Sequence, residues 1–190
     1  MMGKVLSHHY WETINSETAR FSLASQLYLD ISRLIRKLTA EAANSPDFLG
    51  IASPLALSYS ALCTLCDKYS CPQAASAQSD DASAMQVKAV DGLKSVAQNV
   101  VDFAEQINAA TASPQDLDRV SPVIMDALYS AASNYAWMVR ESGDETSQMA
   151  LESLRHCLRR LGVRWRSAAE YLRILEAQEF QYAIGSGVSS

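Results

Sequence analysis

The sequence predicts an all-α fold of about six helices, arranged as a bundle or as stacked antiparallel hairpins. Three observations carry this expectation. Apolar residues recur three and four apart over long stretches. Gly and Pro number only seven and five in 190 residues. Ala, Leu and Ser are plentiful while Val and Ile are sparse, which favours helix over sheet.

The first element runs from Ser16 to about Ala40. Phe21, Ala24, Tyr28, Ile31, Ile35 and Leu38 alternate three and four apart, and Leu23, Leu27 and Leu34 widen the stripe. Such a stripe suits a core helix or, with more heptads, a dimer seam. A second helix is expected to start at Ser53-Pro54, where the hydroxyl can accept an orphan amide and proline at the first position forfeits no bond. It carries Leu55, Leu62, Leu65 and Cys66 to about Ser70, and Pro72 stops it. The polar run that follows reads as a mobile surface loop near 72–84. A third helix, from about Ala84 to Ala110, places Val90, Leu93, Ala97, Val100, Ala104 and Ile107 on one side.

The fourth start is predicted at Ser121-Pro122, with Val120 and Met125 spaced for a hydrophobic staple. Ile124, Ala127, Leu128, Ala131, Tyr135 and Met138 form the apolar face of this helix. Gly143 ends it and Asp144 caps the next, so the two fold back on each other. The fifth helix carries Ala150, Leu151, Leu154, Cys157, Leu158 and Leu161 and ends at Gly162. A sixth, from about Val163 to Ala177, is expected to bury Trp165, Ala168, Ala169, Leu172 and Leu175. One domain over residues 1–178 follows, with a disordered tail over 179–190.

The formal charge of -5 and pI near 5.2 oppose approach to phosphate backbones, so direct nucleic-acid binding by the chain is not expected. Four cysteines among helical patterns, and an N-terminus without signal-peptide character, point to a reducing compartment. No uninterrupted apolar run approaches the roughly 18 to 20 residues of a bilayer span, so no membrane role is expected.

Cys63, Cys66 and Cys71 have a spacing that can grip zinc, but no second pair follows at finger spacing. Packing as small apolar thiols is the stronger reading, and no metal or cofactor is expected. His8 and His9 are adjacent and point in different directions. Asp80-Asp81 has no second acidic motif to share a cation with, and reads as a solvated loop pair. Six arginines between residues 150 and 178 make that stretch basic. Dipole complementation and pairing such as Arg166 with Glu170 account for them better than a phosphate surface, and Arg164, beside Trp165, is the one expected to be partly buried. No catalytic triad, phosphate loop or dinucleotide fingerprint is present, so no enzymatic activity and no catalytic residue is expected.

Val120 to Ala177 carries Ser121-Pro122, Asp126-Ala127-Leu128-Tyr129, Ala131-Ala132, Glu141-Ser142-Gly143-Asp144, Leu151-Glu152-Ser153-Leu154 and Arg164-Trp165, with Ala168, Tyr171 and Leu172 after them. In order and spacing this segment resembles the C-terminal part of the middle homology region of fungal zinc binuclear cluster transcription factors. The stretch from Ser53-Pro54-Leu55-Ala56-Leu57 to Asp67-Lys68-Tyr69-Ser70-Cys71-Pro72 resembles the helix before it in those proteins. The resemblance implies a nuclear, all-α regulatory domain that controls transcription by masking or exposing other segments, sometimes in response to a metabolite. The six-cysteine DNA-binding cluster of that family is missing here, so Cys63, Cys66 and Cys71 are not carried over as its ligands. The chain is accordingly expected to be a C-terminal piece of such a factor or a stand-alone relative acting through protein contacts.

The residues to watch are Tyr129, Trp137, Arg164, Trp165 and Tyr171. Their bodies can wall a pocket while hydroxyl, indole and guanidinium groups orient a small-molecule effector, although packing between helices explains them more simply. The expected partners are a protein, a second copy of the chain, or that effector. A helical adaptor outside transcription, gripping a partner helix in an apolar groove, is the alternative.

Overall fold

A computed structural model describes residues 17–71 and 80–186, with side-chain surroundings defined for 19–71 and 80–180. Among them are six α-helices, one 3-10 segment and no strand: α1 Glu17–Asn44, α2 Phe48–Ser70, α3 Asp80–Ala110, the 3-10 segment Pro114–Arg119, α4 Ile124–Ser142, α5 Glu145–Gly162 and α6 Arg166–Ser186. The chain is all-α. Its residues group into two compact units, 1–96 and 97–190, with the boundary falling within the 31 residues of α3.

In the first unit α1 packs on α2. Phe21, Ala24, Leu27, Ile31 and Ile35 are buried, while Leu23, expected to widen the stripe, is exposed. α2 starts at Phe48, a turn and a half before Ser53-Pro54, and runs through Pro54. Burying Leu49 and Ala52 in the added turns offsets the bond that proline removes. By length and composition α2 could cross a membrane, with a window of mean hydropathy 1.5, although Ser53, Ser58 and Ser60 interrupt its apolar residues. In the structure 61% of that window is buried, as in a core helix.

α3 begins at Asp80, so residues 80–84 are helix rather than loop. Both carboxylates of Asp80-Asp81 lie in its first turn, where negative charge complements the helix dipole. Met85, Ala89, Gly92 and Leu93 face inward. Residues 72–79, the rest of the predicted mobile loop, and His8 and His9 lie outside the described residues.

In the second unit α4, α5 and α6 pack on one another. α4 starts three residues after Ser121, whose carbonyl accepts from the Ile124 amide at 3.2 Å, and its N-cap is Val123. The Ser-Pro pair thus makes the turn before the helix and not its cap. A capping box does form at Ser113-Pro114, around the 3-10 segment: the Ser113 hydroxyl accepts from the Gln115 amide and the Asp116 carboxylate from the Ser113 amide, each at 3.4 Å.

Gly143 ends α4 in the left-handed region at φ 64°, its amide donating to the Val139 carbonyl at 2.8 Å. Asp144 then caps α5, accepting from the amide and hydroxyl of Ser147 at 2.9 Å each. These bonds favour the charged form and hold the Asp144 carboxyl below its usual range. Ala150, Leu151, Leu154, Cys157, Leu158 and Leu161 are all buried along α5.

α6 departs most from expectation. Ala168 and Leu175 are buried, Trp165 and Leu172 are half-buried, and Ala169 is exposed. The helix also continues to Ser186, into the stretch expected as a tail; 187–190 lie outside the described residues.

Candidate functional site

The second unit holds a pocket of about 510 Å³ walled by α4, α5 and α6. α4 contributes Ser133, Ala136, Trp137, Val139 and Arg140; α5 contributes Gln148, Leu151 and Arg155; α6 contributes Gln178 and Glu179. The spacing of 133, 136, 137 and 140 puts one face of α4 on the pocket. The volume falls within the range of small-molecule sites, and the lining combines an apolar wall with a few convergent polar groups.

Arg155 is the electrostatic centre of this pocket. Its side chain is only 10% exposed. Nη1 donates to Glu152 Oε1 at 2.6 Å and Nη2 to the carboxylate of Glu179. Arg159 lies 3.7 Å from the other Glu152 oxygen. Arg155 Nε is buried with no hydrogen-bond partner among the described residues, and so is Ser133 Oγ. Leaving such groups unpaired is costly, which makes both of them potential contacts for a guest. Trp137 stands at the same pocket with 54% of its surface exposed, as an unpacked aromatic wall.

Of the five residues singled out in the sequence, only Trp137 lines this pocket. Tyr129 and Tyr171 meet elsewhere, stacked at 4.5 Å and 16° between α4 and α6. Burial, with Asp126 and Tyr129 nearby, pushes the Tyr171 hydroxyl above its ordinary pKa. Arg164 and Trp165 occupy the α5–α6 turn. The Arg164 guanidinium covers the indole at 4.9 Å and pairs with Asp118 of the 3-10 segment. Its side chain is half exposed, so the buried arginine is Arg155 and not Arg164. Burial needs partners, and two carboxylates converge on Arg155 where Arg164 has one.

Arg155, Ser133, Gln148, Gln178 and Glu179 were missed in the sequence. A local signal for Arg155 existed, because it falls on the apolar stripe of α5 beside Leu151, Leu154 and Leu158. Its pairing with Glu179 spans 24 residues and left no local trace.

Arg160 has a structural task. It donates to the Asn108 carbonyl at 2.9 Å and to the Thr111 carbonyl, satisfying acceptors at the end of α3.

In the first unit a smaller depression is lined by Phe21, Ser25, Met85 and Lys88 among others. There Lys88 Nζ donates to Ser25 Oγ at 3.4 Å.

The cysteines do not converge. Cys63 and Cys66 are buried in α2, Cys157 in α5, and Cys71 is exposed at the end of α2. Burial, with Asp67 adding to it, pushes the Cys66 thiol up to about 12; burial raises Cys157 to about 12 against the pull of Arg160. Thiols held protonated in this way are poor nucleophiles and poor metal ligands. No group of three or more His, Cys, Asp or Glu residues comes together among the described residues.

Comparison with protein-family models, with curated proteins and with solved structures finds no significant match.

Proposed function

We propose that the chain is a non-catalytic regulatory and interaction domain of a fungal transcription factor, working in the nucleus through a protein partner, a second copy, or a small-molecule effector. Two lines support this reading. Residues 120–177 resemble the middle homology region in the order and spacing of their motifs, and most of the ligand-sized pocket is built from that segment. The observation that carries the effector arm is that a buried Arg155 and an exposed Trp137 both line a pocket of about 510 Å³. A fixed charge beside an aromatic wall binds and orients an amphipathic guest.

The test is a fusion of the full chain to a heterologous DNA-binding domain, read on a reporter in fungal cells. The fusion is expected to alter transcript level relative to the DNA-binding domain alone. An unchanged reporter, with the fusion demonstrably expressed and nuclear, overturns the reading.

Exposed Ile174 and Phe180 on α6, 40% and 66% accessible, favour the adaptor outside transcription as the second reading. That role leaves the reporter silent and places the chain in a stable cytoplasmic complex.

A further inference from the structure

We infer that the pocket between α4, α5 and α6 binds a small carboxylate with an apolar body, and that this ligand replaces Glu179 on Arg155. The inference deepens the effector arm of the regulatory reading by naming the ligand class and the element it releases.

The chemistry begins with the guanidinium. Nε and Nη2 share one edge of the planar fork, and a carboxylate can accept from both at once. Glu179 takes Nη2 and leaves Nε buried without a partner. The carboxylate on this edge thus uses half of what the edge offers. A ligand carboxylate entering from the pocket satisfies both donors, and Ser133 Oγ provides a further hydroxyl from the α4 wall.

Charge selects against the alternatives. Glu152 stays on Nη1 at 2.6 Å, so a dianion such as phosphate meets a carboxylate beside its binding edge. A cation meets Arg155 and Arg140 on the pocket wall. A monoanion matches a single guanidinium edge. The rest of the pocket, Ala136, Trp137, Val139 and Leu151, accepts an aliphatic or aromatic body.

Exchange has a mechanical consequence. Glu179 lies in the last turns of α6, and its ion pair ties that end to α5. Its side chain is 41% exposed, so water can take over the released carboxylate at small cost. Binding therefore frees the end of α6, which carries the exposed Phe180.

Octanoate and phenylacetate serve as probes, with their primary amides and octylamine as controls, titrated calorimetrically into the full chain and into Glu179→Gln. The carboxylates are expected to bind the wild-type chain more tightly than the amides and the amine. E179Q, which removes the internal competitor, should tighten the carboxylates by roughly five- to tenfold and leave the amides unchanged. Hydrogen exchange at the end of α6 should rise on adding octanoate to the wild-type chain, and should already be raised in E179Q without ligand.

Equal affinity for acid and amide, an unchanged carboxylate affinity in E179Q, or no binding by either chain overturns the inference. E179Q alters a half-exposed side chain, and circular dichroism verifies its fold. These readouts are independent of transcription. A silent reporter with intact carboxylate exchange refutes the transcriptional role alone, and the converse result refutes only the ligand assignment.

Discussion

Replacing Gly92 by alanine tests the packing of the first unit, because propensity and sterics predict opposite signs. In an exposed helix the change would stabilise by up to about 1 kcal/mol. At Gly92 the new Cβ would stand 2.7 Å from Tyr28 Cε2 and 2.8 Å from Cys66 Sγ, so α1 and α2 both approach this glycine too closely for a side chain. Each atom would have to retreat by more than half an ångström to reach ordinary van der Waals contact. The tyrosine ring can swing outward, but Cys66 is fully buried and has nowhere to go. Overpacking of this kind costs about 1–3 kcal/mol, so the net effect of G92A is a loss of about 1–2 kcal/mol. Gly162→Ala is the internal control: its Cβ meets only Ala169, at 3.6–3.7 Å, and the substitution should stabilise by up to about 1 kcal/mol. Urea denaturation followed by circular dichroism measures both, and C66A in the G92A background should recover part of the loss. A stabilised G92A would refute the close approach of α1 and α2 to α3.

Arg160→Ala, which removes the donors to the Asn108 and Thr111 carbonyls, should cost about 1–3 kcal/mol in urea denaturation; Arg160→Lys should recover only part because it lacks the planar fork. Cys71 should be alkylated in the native chain at pH 8 while Cys63, Cys66 and Cys157 react only after unfolding, as read by mass spectrometry. Cys66 and Cys157 are raised from 9.0 to about 12 in the fold, so the folded chain holds their protons longer than the unfolded chain does. Their contribution to stability is complete below about pH 9 and declines from there towards pH 12, which denaturation midpoints across that range should show. A double-mutant cycle on Tyr129→Ala and Tyr171→Ala should give a coupling of about 0.5–1.5 kcal/mol; additive losses would remove the stack as an energetic contact.

How much could be read in advance depended on whether the signal was local. Along α5 every apolar residue named from periodicity is buried, and Gly143 and Asp144 mark the boundary by a left-handed turn and a side-chain cap. Those features are complete within a few residues. The Ser-Pro pairs were less informative, because a serine can cap wherever the chain turns and tertiary burial decides where a helix begins. At Ser53 the helix had already started, drawn forward by Leu49 and Ala52; at Ser121 it had not yet begun. Ser113-Pro114, with Asp116 three residues after the serine, had the complete capping-box pattern and was overlooked. The extension of α6 past Ala177 opens on the polar pair Gln178-Glu179 and an exposed Phe180, so its first described residues add nothing buried to announce it. The pocket was hardest to foresee: Trp137 drew notice as an aromatic residue, whereas Arg155 and Glu179 acquire their meaning only from one another.

The same pairing logic decides whether the basic stretch of α5 and α6 can read nucleic acid. Affinity for a duplex comes from cations free to displace counterions from phosphates. Five of the six arginines have an internal partner: Arg155 is held by Glu152 and Glu179, Arg159 lies against Glu152, Arg160 serves the end of α3, Arg164 pairs with Asp118, and Arg173, in place of the expected Arg166, pairs with Glu170. A phosphate would have to break these contacts while approaching a chain of formal charge -5. The full chain is therefore expected to show no salt-dependent binding to random duplex at physiological ionic strength in a fluorescence anisotropy titration. Neutralising Asp118, Glu152 and Glu170 together removes three negative charges and releases arginines on the exposed side of the pairs, so that variant should bind at low salt with an affinity that falls as salt rises. Micromolar binding by the unaltered chain would mean that the arginines are not committed to their internal partners, and would return this surface to consideration as a phosphate-reading face.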